Sequence, residues 1–322
     1  MRKSLDMVRE IESADDDGAS YISFWNSFGK YLKVGIVEDD EYKNDLAPFL
    51  RFFSSKTGEE YTSLDKYIEG LTDEQKEDKK IYYVTGEGLD KTKMSPSVEK
   101  LARKNYEVLF MTEPLDEIMI ETLSKYKDFK LTDASKDGAF DDDKDEVSKK
   151  EKEEATEALS DLIDYLEMEL SEKVKSVKVS NLLSESPAAV VQGAYGMSPT
   201  MQRYMQMQTV AMGEGSLPGM GSMNQAVLEI NPSHPVIEEL NSIVKANGTS
   251  GPIEDPIFKN KVTLLYDVAA MTSGYEVSDP AAFAKRVISL MSNDVTVSDA
   301  VVEDSANSDD DDEVKTVSAE VM

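Results

Sequence analysis

The chain has 322 residues, no cysteine and one histidine, and its 64 acidic against 35 basic side chains leave a formal charge of −29 at pH 7. These figures exclude disulfides, thiolate catalysis and cysteine-ligated zinc, and a field of that sign repels the phosphate backbone of nucleic acid and anionic membrane surfaces. Apolar runs fall far short of the roughly 20 residues a bilayer span requires, and no secretory signal is read at the amino end, which acquires Asp6, Glu10 and Glu12 almost at once.

The length leads us to expect two bodies and tails. Residues 1–45 read as a helical connector: Leu5, Val8 and Ile11 share one face, and Phe24, Trp25, Phe28 and Leu32 form a second stripe. Trp25 and Phe24 are read as core. From Leu46 the pattern changes. Residues 46–55 read as a continuing buried helix, Ser63 as the cap of the next one, and 81–86 as a strand rich in aromatic and β-branched residues. A helix opened by Ser95-Pro96, a strand within 106–114, a third helix and a short strand at 129–134 follow. Strands alternating with helices predict crossover units and a mostly parallel sheet in a small α/β subdomain over 46–135. The Gly-rich string at 86–93 lacks P-loop spacing and is read as a turn.

Residues 136–154 are too charged to bury a core and read as a linker or the solvated start of a helix. The second body is placed at 155–293. Its first helix carries Leu159, Leu162, Ile163 and Leu166 on one stripe, and 175–193 reads as two strands around a loop. Seven of the sixteen methionines fall between 195 and 226. Three further helices complete the body, and 294–322 read as a disordered acidic tail. His234, between two prolines, is read as a packing residue at a helix start rather than a catalyst. Asp161 and Asp164 are read as solvated charge, and no calcium loop is found.

Five strings, IYYVTGEG at 81–88, YEVLFMTEPLDE at 106–117, VKVSNLLSESPAAVV at 177–191, LEINPSHPVIEEL at 228–240 and LLYDVAAMTSGYEVSDPAAFAKRV at 264–287, resemble the middle and C-terminal regions of the heat-shock protein 90 family in order and spacing. The opening segments FWNSFGKYLKVGIVED and LAPFLRFFSS resemble the later part of that family's middle domain, so the resemblance covers about residues 2–293. It implies an α+β or α/β architecture: helical connector, small α/β/α subdomain, then an α+β dimerisation domain ending in a helical hairpin. It also implies a chaperone that binds unfolded client proteins. The family's ATP and magnesium chemistry belongs to an N-terminal domain not included in this sequence, so no enzyme activity and no cofactor are expected of these residues. Two alternatives stand beside this: a piece of a longer ATP-dependent chaperone, and a regulator forming mixed dimers with the full-length protein.

Two surfaces are expected. Val262, Leu265, Tyr266 and Ala269 on one helix, with Phe283, Val287, Leu290 and Met291 on the next, form apolar stripes. The resemblance implies that this hairpin pairs with its twin across a two-fold axis; the bland alternative is burial against its own domain. The methionine-rich stretch is the second surface, because flexible, polarizable thioethers adapt to varied apolar partners. The resemblance places client contact at Tyr195, Met197, Met201, Met220 and Met223, although Met197 stands where the family commonly has Trp. The alternative is core filling on a helix. The carboxyl end carries neither the cytosolic nor the endoplasmic terminal signal of the family, and the opening strings look closer to plastid or mitochondrial members, with the cytoplasm as the alternative.

Overall fold

A computed structural model describes residues 2–14, 18–139, 146–193, 196, 198–211, 226–248, 253–277 and 279–292. The expected acidic tail therefore lies outside the described residues. Helices α1 (Arg2–Glu12), α2 (Ala19–Glu38) and α3 (Lys43–Leu46) open the chain. The expected continuation of helix into 46–55 is corrected by the structure. Pro48 sits in a short 3-10 turn over Ala47–Phe49, Leu50 turns extended, and Phe53–Ser54 form an edge strand, β1. Two backbone hydrogen bonds with Thr62 hold Phe52, so bulky aromatic residues here favour pairing over another helical turn.

The first body then alternates: α4 (Leu64–Glu69), α5 (Asp73–Asp78), β2 (Lys80–Thr85), α6 (Leu89–Lys93), α7 (Pro96–Arg103), β3 (Leu109–Met111), α8 (Pro114–Leu123), β4 (Lys125–Tyr126) and β5 (Phe129–Asp133). Local chemistry sets the helix starts. Ser63, Thr72 and Ser95 hydroxyls accept from the amides of Lys66, Gln75 and Ser97, and Pro96 occupies the first turn of α7. On α8 the Asp116 carboxylate accepts from the Thr112 and Glu113 amides, both at 3.1 Å.

The sheet order is β1-β3-β2-β5-β4. Its inner pairs are parallel, with Tyr83 opposite Leu109 and Ile81 opposite Leu131, and its two outer pairs are antiparallel. Four successive residues of β2, Ile81 to Val84, are buried because both faces are covered. Ile81, Tyr83, Leu109 and Met111 pack with Trp25, Ile36, Met119 and Ile120 of α2 and α8, while Tyr82, Val84 and Phe110 pack with Leu101 of α7.

The second body comprises α9 (Glu146–Ala158), α10 (Ser160–Glu169), β6 (Ser176–Val179), β7 (Ala188–Val191), α11 (Pro199–Ala211), β8 (Val227–Ile230), α12 (Pro235–Asn247), α13 (Pro256–Thr272) and α14 (Pro280–Ser292). No residue of α9 is buried, consistent with a solvated helix start. The strands read at 175–193 do not pair with each other. β8 lies between them, parallel to β6 and antiparallel to β7. Its Leu228 meets both Val177 and Val190 at the middle of a core closed by Leu162, Leu166, Ile237, Leu240 and Phe258. His234 stands at the start of α12, where its Nδ1 accepts from the Val236 amide at 3.2 Å.

The two bodies are clasped through α7. Lys100 reaches Glu229 on β8 in an ion pair whose side chains are 4% and 14% exposed. One turn of the same helix also engages the loop after β6. Glu99 accepts from the Ser184 amide, from the Glu185 and Ser186 amides at 2.5 and 3.4 Å, and from the Ser184 and Ser186 hydroxyls at 2.9 and 2.8 Å. Arg103 Nη1 donates to the Leu183 carbonyl at 3.3 Å. A second tie joins Lys178 to Asp137 at 3.0 and 2.7 Å, beside two backbone hydrogen bonds in which Gln192 donates to the Ser135 carbonyl and accepts from the Asp137 amide.

Candidate functional site

The site is the closing hairpin, α13 and α14, with the helix α11 that leans on it. Asp255 caps α13 by accepting from the Ile257 amide at 3.0 Å, and Pro256 opens the helix. Asp267, buried in the middle of α13, accepts from Arg286 at 2.6 Å and faces Lys173 at 3.5 Å. That pair pins α14 against α13. The turn between them is held from both sides: the Ser273 hydroxyl accepts from the Val190 amide at 2.9 Å, and Arg203 of α11 donates to the Gly274 carbonyl at 3.3 Å. Burial, reinforced by the Asp267 charge, pushes the Tyr266 phenol above its usual range.

The apolar stripe expected on α13 does not face outward. Val262, Leu265 and Ala269 lie in the chain's own core, with exposures of 0%, 5% and 1%, and Tyr266 packs half-buried against it. The core formed with α10, α12 and the sheet encloses Val262, Leu265 and Ala269, the burial that stood as the alternative for this stripe, while Tyr266 keeps part of its surface open. On α14 the expected Phe283, Val287 and Leu290 are half-buried, and Met291 is 82% exposed. Beside the expected Met291 the hairpin leaves two further residues bare, Ile288 at 60% and, at the end of α13, Met271 at 40%. Leu264 and Val268, half-buried, share a face with Met271 at i, i+4, i+7 spacing, away from the buried stripe. Apolar residues on two sides of α13 were the available signal, and a single stripe cannot say which side meets its own core.

Of the expected client contacts, Met201 is half-buried on α11, and its amide donates to Ser198 Oγ at 3.0 Å. Tyr195, Met197, Met220 and Met223 lie outside the described residues. Farther along α11, Met207 is 71% exposed. A cavity of about 640 Å³ opens where the carboxyl end of β2 meets α11 and the hairpin turn, lined by Thr85, Met94, Arg203, Met271, Tyr275 and Phe283. Of the sheet it touches only the carboxyl end of β2, at Thr85. Among the described residues no group of three or more His, Cys, Asp or Glu side chains could hold a metal ion, and no helix is long and apolar enough to cross a membrane.

The sequence pattern described as Hsp90 protein matches residues 1–321. The chain is 40% identical over 292 residues to heat shock protein 90-5, chloroplastic, of Arabidopsis thaliana, covering 90% of this chain and 35% of that protein. It is 36% identical over 326 residues to the endoplasmin homolog of Catharanthus roseus, covering 94% and 38%. It is 35% identical to heat shock protein 90-6, mitochondrial, of Arabidopsis thaliana, covering 90% and 34%. The chain thus spans little more than a third of the length of these relatives.

Proposed function

Because the chain belongs to the heat-shock protein 90 family, we propose that these residues form the client-holding and self-associating part of a molecular chaperone. One observation carries the self-association: the outer face of the hairpin keeps Ile288 and Met291 bare at 60% and 82% exposure, on a helix tied to α13 through Arg286 and the buried Asp267. Large apolar side chains grouped on one helix face mark an interaction surface. A second copy of the same hairpin supplies the matching face, giving an isologous four-helix contact. The dimer seam is accordingly assigned to Ile288, Met291, Leu290, Val287 and Met271. Light scattering on the intact chain at micromolar concentration is expected to give a dimer, and Ile288→Asp with Met291→Asp a monomer of unchanged circular dichroism. A monomeric parent chain would refute the assignment.

Client contact is assigned to Met201 with Tyr195, Met197, Met220 and Met223, supported by the methionine content of 195–226. Replacing Met220 and Met223 by Ser is expected to weaken suppression of aggregation of a denatured client, and equal suppression removes the assignment. Nucleotide chemistry falls, by the family resemblance, to the part of the longer relatives that these residues do not span. Mixed dimers with such a longer chain follow from the same hairpin. The compartment proposed is an organelle or the secretory pathway, after the chloroplastic, mitochondrial and endoplasmin relatives.

A further inference from the structure

Three consecutive backbone amides, of Ser184, Glu185 and Ser186, converge on one carboxylate oxygen of Glu99, and the hydroxyls of Ser184 and Ser186 complete the grip. Such a run of N–H groups is an anion-binding nest. Its occupant comes from the other body, so the nest acts as a joint. The amides hold Glu99 below its ordinary range despite partial burial, which fits a carboxylate that stays charged in its seat. One helical turn beyond Glu99, on the same face of α7, stands Arg103. Among the described residues it forms no ion pair; its one hydrogen bond is to the Leu183 carbonyl. Arg103 and Ser184 share a polar cavity of about 470 Å³ with Asn181 and Asn231, and Glu151, which also lines it, is exposed.

We propose that Ser184 is a phosphoacceptor whose phosphoryl group takes the loop amides from Glu99 and pairs with Arg103, stepping the second body along α7 by one turn. The serine is exposed, and its Oγ lies 2.9 Å from Glu99 Oε1. A phosphoryl group there brings nearly two negative charges and three strong acceptor oxygens against a single carboxylate charge. The nest suits either anion, but both cannot occupy it, and the guanidinium within the same cavity offers the bidentate partner that phosphate monoesters favour. Moving the loop's charged anchor from residue 99 to residue 103, which already holds the Leu183 carbonyl at 3.3 Å, draws the loop toward the end of α7; a full step of four residues, about 6 Å, also opens the Lys100–Glu229 pair. The modifying step needs a protein kinase and a nucleoside triphosphate. The bond from Ser184 Oγ to the γ-phosphorus forms as the bond from that phosphorus to the bridging oxygen breaks. The hydroxyl proton passes to the kinase's base, and the nucleoside diphosphate leaves.

The absence of cysteine allows two spin labels to be placed cleanly, at Glu77→Cys on α5 and Ala246→Cys on α12, both exposed. Phosphoserine incorporated at position 184 of the full chain during translation is expected to shift the mean spin–spin distance by several ångströms, up to about 6 Å. Adding Arg103→Ala to the phosphorylated chain is expected to replace that shift by a broad distribution, because Glu99 has been released and the loop has lost its charged partner on α7. Glu99→Gln without phosphate is expected to broaden it likewise. An unchanged distance with phosphoserine in place overturns the proposal. So does mass spectrometry of the protein from its own cells, under growth and heat stress, that finds Ser184 only unmodified.

Discussion

Replacing Lys100 by Met tests how strongly the two bodies depend on each other. The substitution removes the charge but keeps a side chain of similar length, leaving the Glu229 carboxylate between α7 and the sheet with its ion-pair partner gone. Glu229 Oε2 is buried and has no separate hydrogen-bond donor among the described residues. Breaking a buried pair from one side costs about 3–5 kcal/mol. Since the Glu229 side chain keeps 14% of its exposure, some water reaches it, and the lower end, about 3 kcal/mol, applies. With a urea slope near 3 kcal/mol/M this moves the midpoint down by about 1 M. Replacing Glu229 by Met as well removes the orphaned charge and is expected to return the stability to within about 1 kcal/mol of the parent. Trp25, the only tryptophan, lies in the first body. Its fluorescence therefore follows that half alone, while far-UV circular dichroism follows both. In Lys100→Met the two transitions are expected to separate. A single variant within 0.5 kcal/mol of the parent, taken as roughly the error of such measurements, or a double variant less stable than Lys100→Met, would refute the reasoning.

Other expected outcomes follow from contacts already described or adjacent to them. A Cβ on Gly29 would stand 2.7 Å from the Trp25 ring. Gly29→Ala is therefore expected to lose about 1–3 kcal/mol to overpacking, partly offset by about 1 kcal/mol of helix propensity, and to shift the tryptophan emission. A neutral midpoint with an unmoved spectrum would count against that packing. Gln75 is fully buried, and its amide both donates to the Glu107 carbonyl and accepts from the Glu107 amide, each at 3.2 Å. Gln75→Leu is expected to cost about 2 kcal/mol in thermal or urea unfolding by stranding the Glu107 amide, while the Glu107 carbonyl keeps the Tyr67 hydroxyl at 2.6 Å. Glu99 titrates below the ordinary glutamate value of 4.5: burial raises it, but the loop amides and hydroxyls lower it further. Its contribution to the clasp is complete above that value and is lost as pH falls through the depressed one. The spin–spin distance described above is expected to hold from neutral pH down to about 4.5 and to broaden only below it, with Glu99→Gln already broad at neutral pH.

Much of the first body is readable in its residues, because Ser63 and Ser95 announce their helices and the run from Ile81 to Val84 can only be a strand covered on both sides. The edge strand at Phe53 is not, since the largely apolar 46–53 satisfies a buried helix with Pro48 in its first turn as well as a strand, and only the pairing of Phe52 with Thr62 decides. The order of the second sheet is hidden for another reason. β8 enters between β6 and β7 from far along the chain, and local patterning carries no record of that insertion. The hairpin shows the same limit for the site. Val262, Leu265 and Ala269 were legible as a stripe, but whether a stripe meets its own core or another molecule depends on what else packs there. Glu99 and Lys100 look like ordinary helix-surface charge, and Gln75 like a solvated amide. Only their partners in three dimensions mark them as structural.

The insertion of β8 also bears on synthesis. β6 and β7 leave the ribosome without the strand that joins them and must wait for residues 227–230. At roughly 5–20 residues per second that wait lasts a few seconds. The first body can close meanwhile, since its sheet is complete by Asp133. During the interval α7 carries Lys100 without Glu229, and the unjoined strands keep open edges to which other nascent chains could pair. Slowing elongation between 192 and 227 should therefore raise aggregation of the newborn chain far more than the same delay before residue 80.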